Sequence, residues 1–283
     1  GGMAAALAAV KAIKESGVQL QGDLWLTAVV GHEEPEAKKD GPRALITDLN
    51  NQRVSADRIL IVEGRDALWV MSMGSMVFTI VLESSEGGKH TQYVPFADNP
   101  LRYVGELIQR IYQFQIELDG GSLHPLAGAE RIDLGMVSGG DYFNRTPLSC
   151  TLTGTRRWLP GRNAEQVLAE LQALLEPIAT AGNLALRVEM EHQREPFETS
   201  AEDGAVQAVR RAHGVVVGAD AEFVGLRIVG DANLYVHGSG VATFYYGPSN
   251  ETAHADLEWV EIERLQQAAQ VYVLAAVDYC GRA

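Results

Sequence analysis

Two hydrophobic periods alternate along the chain. Unbroken apolar runs at 24–30 (LWLTAVV), 59–62 (ILIV) and 241–246 (VATFYY) predict strands buried in a mostly parallel sheet, and 223–229 predicts a further strand. Between them, apolar residues recur at helical spacing. Met3, Leu7, Val10 and Ile13 predict a first helix, with Gly17 where a left-handed C-terminal residue belongs. Further helices are predicted over 43–51, 203–212 and 260–279, the last with Leu265, Ala268, Ala269, Tyr272 and Ala276 inward.

The middle of the chain follows a different rhythm. A long strand at 75–83 precedes a turn at 87–90, and Asn99 with Pro100 opens a helix carrying Val104, Leu107, Ile108 and Ile111 as its apolar stripe. A strand at 132–137, a turn at 138–140, a strand at 150–157, a helix at 164–178 and a strand at 184–191 complete the set. Strand–helix–strand–strand–helix–strand is the split βαβ, ferredoxin-like order. The expected architecture is therefore an α/β sheet domain, 1–72 and 196–283, interrupted by an α+β ferredoxin-like domain at 73–195.

Composition narrows the function classes. The chain has 283 residues, 46% of them hydrophobic, enough for one large or two ordinary domains. A net charge of −14 argues against a nucleic-acid partner or an anionic membrane surface. No apolar run spans a bilayer, and Cys150 and Cys280 form no metal or redox spacing, which suits a reduced cytoplasm.

The candidate chemistry lies just past the apolar strands. The run 24–30 leads through Gly31 into His32-Glu33-Glu34-Pro35, and 59–62 ends at Glu63-Gly64. Charge beyond the carboxyl end of a buried strand is where open α/β sheets bind ligands. Pro35 restricts Glu34 to extended backbone, where neighbouring side chains point opposite ways. One carboxylate can then ligate a metal while the other moves a proton. After the last strand comes His254, and carboxylate with imidazole suits zinc and similar ions. Taken singly, an acidic loop, a loop histidine, an asparagine before Pro147 and an arginine on a strand are ordinary surface features.

Seven stretches together resemble the dinuclear-zinc amidohydrolases and peptidases that include acetylornithine deacetylase, succinyl-diaminopimelate desuccinylase, aminoacylase and carboxypeptidase G. They are GGMAAALAAV, LTAVVGHEEPE, ILIVEG, GGKHTQYVPFADNP, VSGGDYFNRTP, GTRRWLPG and GVATFYYGPSNETAHADLEWV, in family order. The resemblance implies a zinc-peptidase-like sheet domain with helices on both faces and an inserted lid and dimerisation domain. It implies Glu33 as general base, Glu34 and His254 as ligands of one metal, and Glu63 as ligand of the other. His90 would reach the neighbouring subunit's site and polarise the scissile carbonyl, while Asn144 and Arg157 hold the substrate. The implied cofactors are two divalent ions, zinc first, with cobalt or manganese possible. The implied substrate is an N-acyl amino acid or small peptide with a free carboxylate, cleaved at its amide by a homodimer.

One departure accompanies the resemblance. The family's bridging aspartate, in Asp-x-Lys-Gly-Gly, and its upstream His-x-Asp precede the point where this chain starts. The chain therefore reads as N-terminally truncated, which makes a dimeric, non-catalytic protein without a working metal centre the alternative. A serine or cysteine nucleophile is poorly supported, since no Gly-x-Ser-x-Gly elbow is present.

Overall fold

Apolar helical spacing and two left-handed glycines delimit the first and fifth helices. In the computed structural model, which describes residues 1–32 and 38–283, α1 is Gly2–Ser16 and ends on Gly17 at φ 74°. Helix α2 (Asp40–Asn50) and strands β1 (Arg58–Ile61) and β2 (Leu68–Ser72) follow. The next elements are β3 (Gly74–Glu83), α3 (Leu101–Asp119), β4 (Arg131–Gly139), β5 (Ser149–Trp158), α4 (Ala164–Ala181) and β6 (Ala185–Arg194). The chain ends with β7 (Phe197–Glu198), α5 (Gly204–Val217), β8 (Phe223–Leu226), α6 (Asp231–Ser239), β9 (Ala242–Tyr245) and α7 (Ile262–Cys280). Among the described residues no helix is long and apolar enough to cross a membrane.

The chain divides into two units: Gly1–Ser72 with Phe197–Leu226 and Gly230–Ala283, and Met73–Pro196 with Arg227–Val229. The first is a five-stranded mixed sheet in the order β1-β9-β2-β7, with β8 pairing β2. Strands β1 and β9 run parallel, from Arg58↔Ala242 to Ile61↔Tyr245. Their core is a cluster of Ala67, Trp69, Phe197, Ala232 and Tyr245, in which the Trp69 and Tyr245 rings lie 5.8 Å apart. Helices α1 and α5 pack on α7, and α2 packs on α6.

The second unit is an antiparallel four-stranded sheet in the order β4-β5-β3-β6. Its element order, β3-α3-β4-β5-α4-β6, is the split βαβ pattern; β5 alternates inward and outward residues over its ten positions and β3 does so as far as Ile80. The inward set, Phe78, Ile80, Leu82 and Leu152, packs against Leu107 and Ile111 of α3 and Leu171 and Leu175 of α4. Helix α4 starts with a capping box in which Asn163 and Gln166 satisfy each other's backbone N–H groups. Asn99 Oδ1 accepts the Leu101 N–H at 3.0 Å, as the Asn-Pro sequence predicts for a helix start.

Two expectations need correction, and one strand was not foreseen. The run 24–30 is not a buried strand: it carries no ladder, and Leu24, Trp25 and Val30 are 45%, 59% and 76% exposed. β-branched and aromatic residues make a strand only where a neighbour pairs with them, and among the described residues none does. The strand predicted over 223–229 stops at Leu226, and helix α6, which the pattern did not predict, opens at Asp231. Strand β2, wholly buried, is not among the predicted elements, although Leu68-Trp69-Val70-Met71 is an apolar run of the same kind as 59–62.

Candidate active site

Two adjacent parallel strands bring the Glu63 turn beside Tyr246 and Gly247, which lead into the loop carrying His254. Strand β1 ends two residues before Glu63, and β9 ends at Tyr245 beside it. The backbone continues the pairing past both ends: Tyr246 N–H donates to Ile61 O at 3.1 Å and Gly247 N–H to Arg65 O at 3.1 Å. The Glu63 turn is thus laced on both sides to the first residues of the His254 loop. Two glycines make this approach possible. A Cβ on Gly247 would fall 2.4 Å from Gly64 O, and Gly64 itself sits at φ 93° against the Trp69 ring.

Glu63 is exposed. His254 is also exposed, in left-handed backbone at φ 63°. Its loop is closed by Thr252, whose hydroxyl accepts the Trp259 N–H at 2.9 Å and donates to Trp259 O at 3.0 Å. A carboxylate and an imidazole are donors of the right type for a divalent ion. Among the described residues, no group of three or more His, Cys, Asp or Glu gathers to hold one. Glu33 and Glu34, expected as base and ligand, lie outside the described residues.

The residues flanking those two glutamates converge on a carboxylate that sequence reasoning missed. Asp231, the first residue of α6, is 5% exposed. Its Oδ2 is 2.9 Å from His32 Nδ1 and its Oδ1 is 3.3 Å from Lys39 Nζ. Lys39, 7% exposed, also donates to the His32 carbonyl. The hydrogen bond that His32 Nδ1–H donates to Asp231 holds the His32 pKa above its usual value, with the charges of Asp231 and Glu63 adding to the effect; burial and Lys39 oppose it. Next to them, Tyr245 accepts the Ala232 N–H at 2.9 Å. Burial raises its pKa, as do the Glu63 and Asp231 charges, so it stays a neutral phenol. Burial likewise pushes Tyr235 up to about 12. No local pattern marks Asp231; a buried aspartate at a helix start reads as a cap.

In the second unit, His90 and Asn144 meet. Asn144 Nδ2 lies 3.3 Å from His90 Nε2, and Thr91 N–H donates to Asn144 O at 3.0 Å. His90 Nδ1 accepts the Gln92 N–H at 3.2 Å, so a neutral ring carries its proton on Nε2. That proton meets the Asn144 amide through its oxygen once the amide is turned over. Arg157 stands elsewhere. Arg157 lies eight steps along β5 from Ser149, about 26 Å at ~3.3 Å per step. Its Nη1 donates to Arg227 O at 2.8 Å, and burial lowers its pKa.

The neighbouring Arg156 faces the other way and is fully buried. It pairs with Glu130 and, at 3.4 Å, with Glu170, which also binds Arg162 at 2.9 Å. Alternation along β5 therefore gives Arg156 to the interior and leaves Arg157 on the opposite face.

Comparison with known proteins extends this geometry. The model of Peptidase family M20/M25/M40 matches residues 1–278. The N-formyl-4-amino-5-aminomethyl-2-methylpyrimidine deformylase of Halalkalibacterium halodurans is 22% identical, over 99% of this chain and 69% of its own length. The crystal structure of aminopeptidase PepT from Bacillus cereus superposes with a TM-score of 0.77 at 17% identity, covering 99% of this chain and 70% of that one. YxeP of Bacillus subtilis, described as a dinuclear metal binding peptidase from the M20 family, gives a TM-score of 0.68 at 14% identity, over 96% and 69%.

Proposed function

The chain therefore belongs to Peptidase family M20/M25/M40, whose hydrolases act on amide bonds, and we propose that it hydrolyses the amide of an N-acyl amino acid or small peptide with a free carboxylate. The observation that carries this reading is the lacing of the Glu63 turn to the start of the His254 loop. It sets a carboxylate and an imidazole-bearing loop at the carboxyl ends of adjacent parallel strands, where such sheets take ligands.

In this reading Glu34 and His254 hold one divalent ion and Glu63 the other, zinc first, with cobalt or manganese as alternatives. Such ions supply Lewis acidity toward water and toward a carbonyl oxygen. Glu33 takes a proton from the attacking water and later delivers it to the departing amine as the C–N bond breaks. His90 gives its Nε2 proton to the carbonyl oxygen as negative charge develops there, which releases the Asn144 amide that faces Nε2 in the free chain and leaves Asn144 to hold the substrate. Arg157 offers a planar fork to the substrate carboxylate.

The inserted unit, 73–195, is read as the lid and dimerisation domain. The separation of about 26 Å along β5 supports a homodimer. His90 and Asn144 stand at one end and Arg157 at the other, too far apart to clasp one small substrate, so they serve different subunits' sites.

A second reading is favoured by the deformylase relative, whose named substrate is an N-formyl aminomethylpyrimidine. Here the substrate is an N-acylated amine without a carboxylate. The test is amine release from a panel of N-acyl amino acids, dipeptides and neutral N-formyl amines, with divalent metal supplied. Arg157→Ala should raise KM for the carboxylate substrates and leave neutral ones unchanged. Turnover of neutral amides alone would replace the first reading with the second, and no turnover of any amide would overturn both.

A further inference from the structure

We propose that Asp231 is a positioning residue that pins both ends of the segment carrying Glu33 and Glu34. The proposal rests on the catalytic reading of those two glutamates, but its geometry does not. One buried carboxylate engages His32 through Oδ2 and Lys39 through Oδ1, at 2.9 and 3.3 Å. These are the residues just before Glu33 and two after Ala37. Lys39 closes the ring by donating to the His32 carbonyl. One step further out, Gly41 N–H donates to Val30 O at 3.0 Å, and a Cβ on Gly41 would fall 2.2 Å from that oxygen. The segment is thus closed at its base by backbone and held inside that base by side chains.

Asp231 can bear this load because its own position is fixed. It opens α6, where Gly230 N–H donates to Asn233 Oδ1 at 3.0 Å and Ala232 N–H to the buried Tyr245 hydroxyl at 2.9 Å. The anchor is therefore tied to β9, the strand that leads to His254. A buried ion pair contributes little net stability, and its best-attested use is to fix one arrangement over others. Here it sets the span between His32 and Lys39, the described residues on either side of the two glutamates.

The test compares Asp231→Ala, Asp231→Asn and Lys39→Met in the full chain. Two readouts are used: steady-state kinetics with metal supplied, and amide hydrogen exchange of the peptide covering 30–41. Asp231→Ala should lower kcat roughly 10–100-fold, as loss of groups that orient ligands typically does, with KM changing far less. Exchange in 30–41 should quicken roughly tenfold or more while β3 and β5 exchange as before. Asp231→Asn, which keeps one acceptor, should recover part of both effects. If Asp231→Ala does not fold, Lys39→Met carries the test by the same criteria. Unchanged kcat together with unchanged exchange in a folded variant would overturn the proposal. If the native chain hydrolyses no amide but exchange in 30–41 responds as stated, the clamp stands and the catalytic reading of the glutamates falls.

Discussion

Replacing Glu130 by alanine should unfold the inserted unit far more readily than any surface change. Arg156 is 0% exposed and Glu130 is 11% exposed, so this pair meets out of water. Glu130 also accepts the Leu159 N–H at 3.1 Å and lies 3.4 Å from Arg162. Removing one partner of a buried pair costs about 3–5 kcal/mol, because the other charge stays buried and uncompensated. Glu170 remains 3.4 Å from Arg156, and the Arg131 and Arg157 carbonyls still accept from it, which argues for the lower end. The orphaned Leu159 N–H adds ~1 kcal/mol. The expected loss is about 4 kcal/mol. Trp158 is a specific probe, since it is the one tryptophan within 73–196, is buried, and donates to Arg162 O at 3.1 Å. In a Trp25→Phe/Trp69→Phe/Trp259→Phe background, urea unfolding followed by Trp158 fluorescence reads this unit. The double variant Glu130→Leu/Arg156→Leu should regain most of the loss, because apolar replacement of a whole buried pair is often neutral. A loss under ~1 kcal/mol for Glu130→Ala, or a double variant no better than the single one, would refute the reasoning.

Glu33→Gln should keep bound metal and lose turnover, whereas Glu34→Ala and His254→Ala should each lose metal and turnover together; metal analysis beside kinetics separates these, and near-normal turnover in Glu33→Gln would remove it as base. Mixing His90→Ala chains with Glu33→Gln chains should restore activity through heterodimers that pair an intact Glu33 with an intact His90; no restoration despite proven subunit exchange would count against a shared site. The buried His213, whose Nδ1 is 2.7 Å from the Tyr246 hydroxyl, has its pKa lowered by burial below the usual 6.5. The unfolded chain then takes up this proton first, so the stability His213 contributes is complete above about pH 6.5 and is lost as pH falls below it. Melting temperatures of the native chain and of His213→Phe between pH 8 and 5 should diverge accordingly, with the native curve the steeper; parallel curves would exclude the effect.

Much of the fold was written in local pattern. Period-2 alternation in β3 and β5 and the stripes of α3 and α4 define the inserted unit, and each depends only on residues a few positions apart. The Glu63-Gly64 turn after β1 was equally legible, since an apolar run stopped by a carboxylate and a glycine leaves few conformations. The motifs around His90 and Asn144 made both residues candidates, and only the pairing of their two loops places them 3.3 Å apart. Other features had no local signature. The apolar run 24–30 has the composition of a buried strand and yet lies exposed, because composition states a preference while a partner decides whether it is realised. The meeting of Asp231 with His32 spans 199 positions of sequence. No periodicity reaches across that distance. Only the tertiary structure, by seating α6 beside the end of the 24–32 segment, makes one buried carboxylate the common partner of a histidine and a lysine, because a carboxylate shut off from water must be met by polar or charged groups.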